Sequence, residues 1–196
     1  MSFISAPVGV VLAAGESRRF GAQKLVADLA GEPLLQHSIR CLLEGGATVV
    51  VVVTPPAEGQ RILKERVPLF GDPRVRPIVN PDPALGMFSS VRYGIALAAN
   101  EPIVLLPGDM PFVRAATVAA VLAEFARSRE IVAPRFQGKR GHPLALPTWL
   151  SKAILRSGGE TNLKDLLASH EDRRVYVDVD DPGILRDVDT PQDLKA

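Results

Sequence analysis

Apolar, β-branched runs recur along the chain, with segments of helical spacing between them. Gly9 to Leu12 is the first run. Leu34 to Leu43 then carries apolar positions at helical spacing and stops at Gly45-Gly46. Thr48 to Thr54 is the second run, closed by Pro55-Pro56, and Glu58 to Val67 reads as a short amphipathic helix. Val75 to Val79, Ile103 to Leu106 and Ile131 to Pro134 continue the strand series. Met87 to Ala99 and Ala115 to Arg127 supply the helices between them. A strand that is apolar at every position, such as Val49 to Val53, needs cover on both faces. Strand and helix alternating this often therefore predict an α/β fold with a parallel sheet between helices.

The rhythm changes after Pro134. Gln137 to His142 is polar and glycine-rich, and Pro143 to Leu146 is a short apolar stretch. Helical segments follow at Thr148 to Arg156 and Thr161 to Ser169, then an alternating strand at Arg174 to Val179. Thr190 opens a final predicted helix with Pro191 at its first position. No internal repeat, low-complexity tract or long linker divides the sequence, so 1–196 reads as a single domain.

Composition narrows the class. A hydrophobic fraction of 46% and a charged fraction of 23% are those of a globular protein with a real core. The formal net charge of +1 gives no global field toward nucleic acid or an anionic membrane, so neither is an expected partner. No apolar run approaches the roughly 18 residues of a membrane span. The N-terminal stretch lacks the basic region of a signal peptide, and the one cysteine, Cys41, fits a reducing compartment; the cytoplasm is the expected location.

In open parallel sheets, ligands bind beyond the carboxyl ends of the strands. The loops that fall there are Ala13 to Lys24, Thr54 to Pro56, Asn80 to Ser90 and Pro107 to Pro111, and the first, third and fourth are chemically dense. Val11 to Lys24 reads VLAAGESRRFGAQK; five residues separate Gly15 from Gly21, so it is neither a Walker A loop nor a dinucleotide fingerprint. It still holds the parts of a polyphosphate cradle. Gly15 permits close backbone approach, Arg19 offers a planar fork and Lys24 a point charge. Arg18 reads as a solvated neighbour. In LLPGDMPFV, Asp109 directly follows a buried strand, where a carboxylate either binds a hard cation or caps a turn. In RDVDTPQDL, Asp187 and Asp189 point the same way in extended chain; either could complete a metal site with Asp109, and Asp189 could instead cap the last helix. DVDDP, Asp178 to Pro182, reads as a solvated turn. His142 between glycine and proline reads by itself as a turn residue.

Taken together, LAAGESRRFGAQK, NPDPALGMFSSV, PGDMPFV, RGHPLAL and DVDTPQD resemble the molybdenum cofactor cytidylyltransferase branch of the MobA-like nucleotidyltransferases, over nearly the whole chain. That resemblance implies a Rossmann-like three-layer α/β/α fold whose mostly parallel sheet has a late antiparallel strand. It implies that Leu12, Ala13, Ala14 and Gly15, with Asn80, Gly86 and Ser90, line the nucleotide. Arg19 and Lys24 would hold the triphosphate. Asp109 would bind Mg²⁺, with Asp189 or Asp187 as the second carboxylate. Gly141, His142 and Lys164 would face the acceptor. The implied partners are CTP, a molybdopterin-type acceptor and a molybdoenzyme apoprotein that receives the product. Ala13-Ala14-Gly15 favours CTP, since guanylyl-transferring relatives usually carry Ala-Gly-Gly. Two positions depart from the pattern: Phe20 stands for methionine, and Lys164 stands for an arginine after Gly159-Glu160. The same chemistry on another phosphorylated acceptor, or with GTP, and a non-catalytic nucleotide-binding module are the alternatives.

Overall fold

The computed structural model describes residues 7–15, 24–98, 100–157 and 161–195. Its chain order is β1 (Val8–Leu12), β2 (Asp28–Leu29), β3 (Glu32–Pro33), α1 (Leu34–Glu44), β4 (Val49–Thr54), α2 (Glu58–Arg66), β5 (Val75–Val79), α3 (Met87–Leu97), β6 (Ile103–Pro107) and α4 (Ala115–Ser128). Then come β7 (Ile131–Phe136), β8 (Lys139–Arg140), β9 (Leu144–Leu146), α5 (Thr148–Arg156), α6 (Leu163–Ala168) and β10 (Arg174–Asp178). The main sheet runs β10-β7-β9-β6-β1-β4-β5, with β8 hanging from β7. β2 and β3 form a small separate hairpin.

The valine runs become the centre of this sheet because their side chains fill both sides. Val11, Val50, Val52, Val104 and Leu106 face one layer with Leu35, Ile39 and Leu42 of α1 and Val118 of α4. Val10, Val51, Val53, Ile103 and Leu105 face the other, with Val91 and Ile95 of α3, Leu150 and Ile154 of α5 and Leu167 of α6. Strict alternation along each strand sends neighbouring residues to opposite cores. Each fully buried valine or leucine contributes about 1.5–3 kcal/mol over an exposed one. This is the three-layer α/β/α arrangement.

Polarity positions the rest. β1 pairs in parallel with both β4 and β6, and its last residue, Leu12, lies opposite Val53 and Pro107. The loops after β1 and β6 therefore leave the sheet side by side. β9 is reversed, antiparallel to both β6 and β7. β10 runs parallel to β7, so the reversed strands are β9 and the two-residue β8, which pairs antiparallel with β7.

Three local expectations are corrected. The last helix is only a 3-10 turn, Pro191–Lys195. The helix expected from Thr161 starts at Leu163, because the Asn162 side chain caps it by accepting from the Asp165 amide at 2.9 Å. The DVDDP turn is not solvated throughout: Asp181 is buried and accepts from Thr117 Oγ1 at 2.6 Å, Arg114 N at 2.9 Å and Gly183 N at 2.9 Å. It thereby ties the C-terminal segment to the start of α4. Among the described residues, no helix is long and apolar enough to cross a membrane.

Candidate active site

The loop after β6 is set by Gly108. Its amide donates to Leu12 O at 2.8 Å, and a Cβ there would stand 2.8 Å from that same oxygen and 3.0 Å from Leu35 Cδ1. Only glycine turns the chain this close to β1, and the turn aims Asp109 across the sheet edge. A second backbone bond, Val188 N to Asp109 O at 2.9 Å, fastens the C-terminal segment alongside. Val188 is fully buried, so the alternation of an extended chain sends Asp187 and Asp189 outward together.

Lys24 meets them. It stands in a 3-10 turn, Lys24–Val26, and is only 6% exposed. Its ammonium donates to Asp109 Oδ2 at 2.8 Å and to Asp189 Oδ1 at 3.0 Å. Three distant stretches of chain thus converge on one charge. Burial alone would push the Lys24 pKa down. The Asp109 and Asp189 carboxylates beside it outweigh that and hold it above the ordinary lysine value. The group is an ammonium at neutral pH. Asp187 is exposed, and its side chain is not among the partners of Lys24; Asp189 is the carboxylate brought to Asp109.

His142 lies near enough to this junction to feel the charges of Asp109 and Asp187. Its amide donates to Ile184 O at 3.1 Å, and the Gly141 amide donates to Pro134 O at 3.0 Å. Any Cβ on Gly141 would overlap Ile184 O, so the Gly-His step fits only as glycine. The His142–Pro143 peptide is cis. Burial pushes the imidazole down to about 4, while the charges of Asp109 and Asp187 pull it the opposite way. His142 is therefore neutral near pH 7, with one ring N–H to donate.

The nucleotide-side residues divide into two groups. Leu12 ends β1, Ala13 and Ala14 are buried behind the sheet edge, and Gly15 is exposed. Asn80 is fully buried, with its amide donating to Ser89 Oγ at 2.8 Å and Ser90 Oγ at 3.0 Å and accepting from Asp82 N at 3.0 Å. Its side chain organises the loop that presents Gly86, the N-cap of α3. Ser90 is buried in the same network. Lys164 is exposed at the start of α6, in a groove it shares with Gly86 and separate from Gly141 and His142. Arg19, with Arg18, Phe20, Gly159 and Glu160, lies outside the described residues.

Sequence reasoning missed two carboxylates that hold the site together. Asp181 carried a local signal only for its cap on Gly183, ahead of Pro182; its other partners, Arg114 and Thr117, are distant in the chain. Asp193 carried a fuller one. Thr190-Pro191-Gln192-Asp193 has the spacing of a capping box, and Asp193 Oδ2 accepts from Thr190 N at 2.7 Å, Asp189 N at 3.0 Å and Thr190 Oγ1 at 2.9 Å. Asp193 does the capping, so Asp189 is left to face Lys24. Among the described residues, no three metal-ligating side chains cluster.

Comparison with known proteins bears on the family and the fold. Residues 9–175 match the model for the MobA-like NTP transferase domain. A probable molybdenum cofactor guanylyltransferase of Pyrococcus horikoshii is 29% identical over 138 residues, covering 70% of this chain and 66% of that protein. The molybdenum cofactor cytidylyltransferase of Escherichia coli K12 is 24% identical over 185 residues, covering 94% of this chain and 92% of that one. Among solved structures, Rv0371c from Mycobacterium tuberculosis H37Rv superposes with a TM-score of 0.78 at 25% identity, covering 98% of this chain and 96% of that one.

Proposed function

This chain belongs to the MobA-like NTP transferase family, and on that premise we propose that it transfers CMP from CTP to the terminal phosphate of molybdopterin, releasing pyrophosphate. The observation that carries the reading is the junction of Lys24 with Asp109 and Asp189, at the end of the sheet where α/β proteins bind ligands.

The reaction is a displacement at phosphorus. An oxygen of the acceptor phosphate bonds to the α-phosphorus, the bond to the β-phosphate oxygen breaks, and pyrophosphate leaves with that electron pair. Both reactants are anions, so the protein's task is to bring them together and to offset charge. Lys24, with Arg19, holds the triphosphate. Ala13, Ala14 and Gly15 let it approach the backbone of the β1 loop, and Gly86 and Ser90 border the base. His142, neutral, donates a hydrogen bond to the acceptor without adding charge, while Gly141 keeps that backbone close. Asp109 and Asp189 fit a hard cation: both carboxylates already reach one cationic atom, and Mg²⁺ needs only one or two carboxylates when phosphates supply the rest. When bound, Mg²⁺ would neutralise charge on the phosphates. Asp187, exposed beside them, contributes field more than contact.

The preference for CTP rests on the Ala13-Ala14-Gly15 sequence, which resembles the cytidylyl-transferring branch rather than the Ala-Gly-Gly usual in guanylyl-transferring relatives. The Pyrococcus relative, named a guanylyltransferase, makes GTP the competing reading. The test is pyrophosphate release with molybdopterin as acceptor, run with each nucleoside triphosphate and Mg²⁺. CTP should be favoured by at least tenfold. Release from GTP alone would reassign the base, and release from neither would end the transferase reading. The product would then pass to a molybdoenzyme apoprotein.

A further inference from the structure

Between α3 and the α5–α6 pair runs a groove of about 830 Å³. That is the size of a cofactor site, where volumes of about 300–1,000 Å³ are usual. Topology puts its mouth at the catalytic edge. α3 begins there, just after β5 leaves the sheet. β9 runs opposite to β6, so α5 climbs back toward the same edge and delivers Leu155 and then Thr161 to Lys164 beside Gly86.

The lining is unlike the rest of the surface. Six large hydrophobic side chains of the described residues stand exposed, and three of them, Leu85 at 73%, Met87 at 67% and Tyr93 at 40%, line this groove. A thioether and a phenol ring at its rim suit a flat ring laid against them. Two cations accompany them, Arg92 and Lys164, and among the described residues no carboxylate lines the groove. Arg92 makes one long bond, Nη2 to Leu155 O at 3.4 Å, which leaves most of its five donors to offer. Neither cation has an ion-pair partner among the described residues, whereas Arg40, Arg61, Arg74, Arg127, Arg135 and Arg173 all do.

We propose that this groove seats the body of the acceptor, a flat heteroaromatic compound that carries a phosphate monoester. The proposal rests on the nucleotidyl-transfer reading above and assigns that site its second substrate. The ring lies against Met87 and Tyr93, the Arg92 fork takes its polar edge, and Lys164 screens the acceptor's negative charge at the mouth. Arg92 and Tyr93 are thereby specificity-determining residues, distinct from the groups that hold the triphosphate.

The experiment compares wild type with Tyr93→Ala, Arg92→Gln and Lys164→Glu. Calorimetry with CTP and Mg²⁺ reports the nucleotide site. Fluorescence titration with a pterin phosphate monoester reports the groove, and the molybdopterin KM is measured in the coupled pyrophosphate assay. Each variant should bind CTP within twofold of wild type and bind the pterin at least tenfold more weakly, with a matching rise in acceptor KM. Tyr93 is at the surface, so its truncation spares the core; if it misfolds, Lys164→Glu carries the test. Weakened CTP binding with unchanged pterin binding would assign the groove to the nucleobase and overturn the proposal. Unchanged values for both would overturn it too, as would loss of self-association in sedimentation with pterin binding intact, which would make the face an interface between copies. Wild type that binds no CTP at all would instead sink the underlying transferase reading.

Discussion

The charged junction and the apolar groove are neighbours built on opposite plans. The junction gathers Lys24, Asp109 and Asp189 from remote parts of the chain and pairs every charge within hydrogen-bond distance. The groove is made by helix faces, and its cations have no carboxylate partner among the described residues. The contrast separates two duties. Offsetting charge at phosphorus demands fixed positions, and the junction is pinned from behind by Gly108, Val188 and Asp193. Receiving a second molecule demands open contact area, and the groove keeps large apolar side chains exposed to water.

The two plans can be pulled apart by mutation. Lys24→Ala and Asp109→Ala should each lower kcat by on the order of 10²–10³, the scale of losing one preorganised charge-stabilising donor, in the pyrophosphate assay. Circular dichroism should show the fold retained. Wild-type turnover in either variant would break the distinction.

Carboxylates that look alike in sequence should separate next. Asp181→Ala strands two amides and a hydroxyl in a buried setting and should cost about 1–3 kcal/mol in urea denaturation. Asp189→Ala removes a half-exposed partner of Lys24 and should cost under about 1 kcal/mol, with its loss appearing in rate. Equal destabilisation would mean that the mouth is as structural as its support.

His142 gives a smaller effect, read by pH. Its folded pKa is about 4 against about 6.5 for an unfolded histidine, so the unfolded chain takes up the proton more readily. The contribution is whole above pH 6.5 and disappears as pH falls through 4. His142→Gln should flatten the drop in Tm across that window, and an unchanged slope would show that other groups set it. Smallest of all is the response of Cys41, whose thiol burial pushes up to about 12. It should stay unlabelled by a thiol reagent at pH 8 until the protein unfolds; rapid native labelling would contradict its place in the core.

Much of this was legible in residues. Valine runs announce a sheet buried on both faces, and a carboxylate after β6 announces a site at its end. What stayed hidden depends on pairing across the chain. Nothing near Asp181 says that Thr117 will reach it. Three residues, Leu144 to Leu146, are too few to show by pattern that their strand runs backward. The resemblance sets Asn80 beside the nucleotide, and no sequence pattern shows that its side-chain amide donates to Ser89 and Ser90. Thr190 and Asp193 were readable as a cap, and the nearer Asp189 drew attention from them.

The backward course of β9 reaches further than the sheet. A helix that follows a parallel strand descends from the catalytic edge and leaves its electropositive amino end there, as α3 does at Gly86. α5 arrives the other way, carboxyl end uppermost. One wall of the cleft thus opens on the amino end of a helix, while the other brings up the carboxyl end of α5 and then turns into the amino end of the short α6, where Lys164 adds a full positive charge.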